Sequence, residues 1–178
     1  MKIRSMFLVL LLALSGTIAS AASKDELDAE VREAIAAFHQ HTGAGKELAG
    51  KAAGMLVFPN VIKAGVGIGG EYGEGALVVG GKTTAYYNIA SASIGFQLGV
   101  QARSQIVLFM TPGALSKFRN SPGWKAGVDG SVALATLGAG GSIDSDTAKK
   151  PIIGFIFSNK GLMYNLTFEG SKISPINK

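Results

Sequence analysis

The stretch Val61-Ile62-Lys63-Ala64-Gly65-Val66-Gly67-Ile68-Gly69 decides how this chain folds. It alternates, with glycine on one face and Val66 and Ile68 on the other, and a period of two marks a strand. Glycine weakens a free strand, so its use at alternate positions implies tight bends, bulges or a second backbone lying close. The chain has 178 residues, 25 of them glycine, and many recur in this way. Apolar residues make up 47% of it, well above what disordered chains carry, so the glycines belong to a folded sheet. A strongly curved, barrel-like antiparallel sheet is the expectation.

The flanking sequence supplies the other elements. Ser23-Lys24-Asp25-Glu26 is a capping box, and Leu27, Val31, Ala34, Ile35 and Phe38 follow at helical spacing until Thr42-Gly43. This predicts an N-terminal amphipathic helix with an acidic outer face, then a shorter helix over Lys46 to Ala53 and a break at Pro59. Strands are expected at Val61–Gly69, Ala76–Val79, Thr84–Asn88, Ser91–Val100 and Ser104–Met110, with Gly80-Gly81-Lys82-Thr83 as a hairpin turn. Thr111-Pro112 reads as an N-cap followed by proline at N1, opening a short helix through Phe118. Val128–Leu137 is a further strand, Ala139-Gly140-Gly141 a turn, and Ile152–Phe157 with Leu162–Phe168 a pair joined by Ser158-Asn159-Lys160-Gly161. The class is α+β: a curved antiparallel sheet, an N-terminal amphipathic helix, and a short helix after the middle strands.

The first residues predict export. Lys2 and Arg4 precede an apolar run from Met6 to Ile18, and small residues follow at Ala19 to Ala22, as signal peptidase requires. The run is shorter than the roughly 20 residues that span a bilayer. Residues 1–21 are therefore expected to be a signal peptide and 22–178 one domain, periplasmic or secreted. The chain has 0 cysteines, which excludes disulfides and the acylated cysteine of a lipoprotein.

Charge is unevenly divided. From Ala22 to Glu74 there are five basic and eight acidic residues; from Gly75 to Lys178 there are ten basic and four acidic. A basic half suits an anionic surface.

Several motifs fail on inspection. Gly65-Val66-Gly67-Ile68-Gly69-Gly70 satisfies G-x-G-x-x-G, yet Glu71-Tyr72-Gly73-Glu74-Gly75 follows where a phosphate-binding helix must begin. Gly81-Lys82-Thr83 lacks the first glycine of a Walker A loop, because Ala76 stands there. His39 and His41, two apart on a helix, point about 200° away from each other and cannot share a metal. No nucleophile, base and acid set is present, so an enzyme is not expected. No nucleotide, nucleic acid, metal or other cofactor is expected either.

One stretch joins charge to aromatic surface. Lys117-Phe118-Arg119-Asn120-Ser121-Pro122-Gly123-Trp124-Lys125 places three cations and two aromatics around a proline-glycine loop. Trp favours the boundary between lipid tails and headgroups, and each basic residue adds roughly 1 kcal/mol on an anionic surface. The competing interpretation is that Phe118 and Trp124 fill the core while the cations are solvated. Lys149-Lys150 is a second basic spot.

From about Gly50 to Pro175 the chain resembles the SYLF domain family of lipid-binding and actin-regulating proteins. The similarity is carried by Lys51-Ala52-Ala53-Gly54-Met55-Leu56-Val57-Phe58-Pro59, the Lys63–Gly69 run, Gly73-Glu74-Gly75-Ala76-Leu77-Val78-Val79 and Ser91-Ala92-Ser93-Ile94-Gly95-Phe96-Gln97-Leu98-Gly99. Ile106-Val107-Leu108-Phe109-Met110-Thr111 and Ser158-Asn159-Lys160-Gly161-Leu162 complete it. The resemblance implies a non-enzymatic phospholipid-binding domain. The leading helix, which eukaryotic members are thought to apply to membranes, is acidic here through Asp25, Glu26, Asp28, Glu30 and Glu33, which leaves the basic C-terminal half as the surface for anionic lipid. The expectation is peripheral binding of anionic phospholipid at the bacterial envelope by Lys117, Phe118, Arg119, Trp124, Lys125, Lys149 and Lys150. The alternative is an envelope protein–protein scaffold without lipid specificity.

Overall fold

The computed structural model describes residues 22–137, 141–158, 161–163 and 166–178. The expected signal peptide, Ala139-Gly140 of one expected turn, Asn159-Lys160 of another and part of the expected Leu162–Phe168 strand lie outside the described residues.

Helix α1 (Lys24–His41) starts where its capping box places it. The Glu26 amide donates to Ser23 Oγ and the Ser23 amide to Glu26 Oε2, both at 3.3 Å. Thr42 then serves two helices. Its amide donates to the Phe38 carbonyl at 3.1 Å, and its Oγ1 accepts from the Gly45 amide at 3.0 Å. Helix α2 (Gly43–Lys51) consequently begins before the expected Lys46.

Strands β1 (Gly54–Val79) and β2 (Lys82–Phe109) form one long antiparallel hairpin. Its turn is Gly80-Gly81 alone, with φ of +57° and +76°. Positive φ at both central residues is the turn geometry that matches strand twist. Lys82 and Thr83, expected in the turn, open β2 instead. The five separate strands expected here are continuous because bulges absorb the irregularities. The register moves from Phe58↔Gln105 to Val61↔Arg103, so Pro59 sits in a bulge, where a strand tolerates it. Ser104 Oγ donates to the Pro59 carbonyl at 2.7 Å.

This hairpin folds back on itself. A Cβ at Gly75 would lie 2.1 Å from the Val57 carbonyl oxygen and 2.6 Å from the Phe58 ring. The two halves of β1 therefore meet almost backbone to backbone. Helix α3 (Pro112–Arg119) follows β2, and then β3 (Trp124–Lys125), β4 (Ala133–Leu134) and helix α4 (Ser145–Ala148). Strands β5 (Ile152–Ser158), β6 (Gly161–Leu162) and β7 (Lys172–Ile176) complete the chain. The far edge of β2 takes β5 along Ser104–Phe109 and β7 along Tyr86–Ala90. β3 adds to β7, and β4 runs parallel to β5. The result is a strongly curled half-barrel of α+β class with an N-terminal helix.

Around Met55–Phe58 and Ile106–Met110 both faces of this sheet are covered, which is why these segments read as unbroken apolar runs. Val57, Ala76, Ile106, Leu108 and Phe155 face α1, meeting Leu27, Val31, Ala34 and Phe38. The Phe38 and Phe155 rings meet edge-on at 4.8 Å. Leu56, Phe58, Leu77, Val107 and Phe109 face the other way, toward Leu115, Phe118 and Trp124. Asp28 pins α1 to the sheet by accepting from Thr83 Oγ1 at 3.0 Å and from the Tyr86 hydroxyl at 3.0 and 3.1 Å. Burial and the Asp28 carboxylate push the Tyr86 phenol up to about 12.

Two expected strands are shorter than the sequence suggested. Of Val128–Leu137 only Ala133–Leu134 is strand, because Asp129 Oδ2 accepts the Lys125 amide at 2.6 Å and ties the preceding residues into a loop. Of Leu162–Phe168, the described residues give strand only at Leu162, paired with Phe157. β3 and β7 were not anticipated; each is short, and β7 carries Pro175 and alternating polar residues.

Gly75→Val is expected to destabilise the domain by about 2–3 kcal/mol, because the added atoms meet backbone that cannot move aside. At Gly80 a Cβ meets nothing within 4 Å, so Gly80→Ala should cost only the left-handed backbone strain, about 1 kcal/mol. Urea denaturation of both variants measures the difference. His39 supplies a pH dependence. Its value is held below the ordinary 6.5 by burial and then by Lys46, and its Nε2 is buried without a hydrogen-bond partner. A depressed histidine favours the neutral ring in the fold, so its contribution is complete above 6.5 and is lost as the pH falls through the lower folded value. His39→Gln should flatten that acid-side loss when urea midpoints are compared between roughly pH 5 and pH 7.5.

Candidate functional site

Helix α3 sorts the predicted residues into two groups. Thr111 Oγ1 accepts the Ala114 amide at 3.2 Å, Pro112 takes the first turn, and Leu115 and Phe118 point into the core. Lys117 and Arg119, on the remaining face, are exposed. The Phe118 ring lies 4.7 Å from Phe109, 4.9 Å from Tyr87 and 5.9 Å from Trp124, the last pair edge-on. Trp124 sits on β3 opposite Ile173 of β7 and is only 2% exposed; Phe118 is 1% exposed. Insertion of these two rings into a membrane, as expected from the sequence, does not fit this fold. Truncating a buried Phe or Trp typically costs about 3–5 kcal/mol, and drawing either ring out would forfeit packing of that order. The cations of the same stretch remain on the surface.

The fold also brings distant residues together. A cavity of about 590 Å³ opens between α3, the loop after β3 and the start of β5. Lys117 lines it from α3 and Lys150 from the turn before β5, with Trp124, Val132, Ala133 and Ile152 among its apolar walls. Among the described residues its one lining acid is Asp129, whose Oδ2 already accepts the Lys125 amide. A mostly apolar cleft of this size with a few convergent charges is the usual form of a small-molecule site. Arg119 lies apart from it, on a cavity of about 490 Å³ with Ala53, Pro112 and Leu115. Lys149, exposed, caps the C-terminal end of α4 beside Lys150.

Lys125 faces Lys172 directly across the β3–β7 pair, and both are exposed. Like charges directly opposite on a sheet are unfavourable on their own. An anion between them would relieve this. By contrast, the cavity of about 470 Å³ between α1 and the hairpin is lined by Glu30 and Glu33, and its Arg103 is already paired with Glu71, which disfavours an anion there. Among the described residues, no group of three His, Cys, Asp or Glu side chains stands close enough to hold a metal.

Sequence reasoning found Lys117, Trp124 and Lys150 but not the wall formed by Asp129 to Ala133. The sequence predicts strand for that segment. Asp129-Gly130, a turn-forming dipeptide, was the signal that could have exposed it.

No curated protein matches the chain. Residues 90–178 match the family described as Ysc84, Las17-binding protein actin regulator, a binding-domain family associated with lipid and actin. These residues run from the middle of β2 to the C-terminus and include every side chain that lines the Lys117–Lys150 cavity. With half its length matched, from β2 to β7, the chain belongs to the Ysc84, or SYLF, family.

Proposed function

We propose that this chain is a non-enzymatic domain that binds anionic phospholipid peripherally at the bacterial cell envelope, reached through an export signal in residues 1–21. The observation that carries the proposal is that Lys117 and Lys150 both line one mostly apolar cavity. An anionic headgroup would lie between the two ammonium groups, and apolar parts of the lipid would meet Ile152, Val132 and the Trp124 ring below. Lys149 adjoins Lys150, and Lys125, Lys172 and Arg119 add exposed positive charge away from the cavity, where attraction is felt over about one Debye length. The cations orient and hold; no step of bond chemistry is required of them.

The test is flotation of residues 22–178 with neutral and anionic liposomes at low and high salt. Binding is expected on anionic vesicles and should weaken as salt rises. The double variant Lys117→Glu, Lys150→Glu should reduce it at least roughly thirtyfold, at about 1 kcal/mol for each cation removed. Arg119→Glu, outside the cavity, should matter less. All three cations are exposed, so far-UV circular dichroism should be unchanged. Trp124 is the single tryptophan of the chain, and its emission should shift when a short-chain anionic phospholipid fills the cavity. A double variant that binds like the parent would remove the cavity from the proposal.

A further inference from the structure

The long hairpin has an elbow where it turns back on itself. Along Val61–Gly70 β1 pairs with Ala92–Arg103 of β2, and the register jumps from Gly65↔Gly99 to Gly67↔Gly95. The bend is tight: a Cβ on Gly65 would lie 2.3 Å from the Cα of Gly69. Among the described residues, this stretch of β2 has no strand on its other edge, since β7 ends at Ala90 and β5 begins at Ser104. β1 likewise pairs only with β2.

Exposed apolar surface gathers at this elbow. Ile68 is 75% exposed, Val100 73% and Ile62 42%, and Tyr72 stands half-exposed at the base. Of the large hydrophobic side chains exposed among the described residues, only Val128 lies elsewhere. Single exposed hydrophobics are ordinary; several on one projecting element mark a surface that something else covers. Two other apolar surfaces that could serve are occupied. The α1 stripe is spent on the sheet, and Phe118 and Trp124 are spent on the core.

We propose that this glycine-bent elbow is the part of the domain that enters the lipid bilayer. The proposal rests on the lipid reading above and names its apolar anchor. Charge selects a bilayer as the occupant. Asn60–Gly70 contains one charged residue, Lys63, and Ala90–Ala102 contains none. The acid at the base, Glu71, is buried and neutralised by Arg103. The elbow thus presents apolar side chains and a cation to an anionic lipid surface, with no exposed carboxylate to oppose entry. The open strand edges set the depth. Unpaired N–H and C=O groups are not tolerated in hydrocarbon, so the elbow reaches the headgroup–acyl boundary, about 5–10 Å in, and no further.

The absence of cysteine makes a direct test simple. Val100→Cys and, as a control on exposed α4, Ser145→Cys each carry one environment-sensitive fluorophore. With vesicles of phosphatidylcholine and phosphatidylglycerol, the probe at 100 should shift to the blue and be quenched by brominated lipid, while the probe at 145 stays water-like. Ile68→Asp with Val100→Asp should weaken flotation by about tenfold or more, with unchanged circular dichroism because both side chains are exposed. That loss should persist at high salt, unlike the loss from the cation variants. If the parent protein floats while the probe at 100 remains in water, the elbow proposal is wrong and the lipid reading stands. If the parent floats on no vesicle, both fall. Dimers that the Asp substitutions dissolve, seen by light scattering without lipid, would assign the elbow to a second copy and overturn the proposal.

Discussion

The crossing of β1 over itself, where Gly75 lies against the Val57 carbonyl, is the constraint on which the rest of the structure depends. A hairpin of this length left straight would bury neither face. Folded double, it lets Val57 and Ala76, from opposite halves of β1, share the layer under α1, while Phe58 and Leu77 share the layer beneath α3. Near the bend the crossing is sealed by a buried ion pair between Arg103 and Glu71, with Ser91 Oγ donating to Glu71 at 3.3 Å. Such a pair adds little net stability over an apolar replacement, yet losing one partner strands a buried charge at a cost of about 3–5 kcal/mol. Arg103 already has Nε and Nη1 without partners, and burial lowers its proton affinity. The pair is thus better understood as fixing where the hairpin bends than as a source of stability.

That bend decides which apolar surfaces are left over. α1 lies along both halves of the folded hairpin and uses its whole apolar stripe there, held also by Asp28. Its outward face is acidic. For α1 to act on a membrane it would have to leave the sheet and uncover the layer containing Val57, Ile106 and Phe155. The elbow needs no such change, because Ile62, Ile68 and Val100 are exposed in the folded state.

Much of this was legible in the sequence, for local reasons. The capping box, the Thr111-Pro112 helix start and the Gly80-Gly81 turn each depend on residues within a few positions of one another. Alternating glycine correctly announced a curved sheet, since close backbone approach has few other solutions. What escaped was non-local. Continuity of β1 through Pro59 depends on a bulge opposite Ser104, a residue distant in sequence. β7 is recognisable only once Tyr86–Ala90 is seen to need a partner. The aromatic-basic stretch is ambiguous in sequence for the same reason. Trp124 and Phe118 look interfacial beside three cations, but Tyr87 and Phe109, from elsewhere on the chain, enclose them. Lys117 and Lys150 could be named as basic residues, while their convergence on one cavity required the fold.

The family match and the two candidate surfaces divide along the chain in an informative way. Residues 90–178 contain the entire Lys117–Lys150 cavity and only the β2 arm of the elbow. The other arm, with Ile62 and Ile68, and the acidic α1 precede the match. The two surfaces also rely on different physics. Attraction at the cavity acts at a distance and is screened by salt. Apolar transfer at the elbow acts only on contact and is insensitive to screening. A domain with only the first would gather at an anionic surface without penetrating it. One with only the second would enter lipid slowly and without regard to charge. Here the glycines place both on one frame: their small size permits the crossing that builds the core, and the same crossing leaves the elbow outside it.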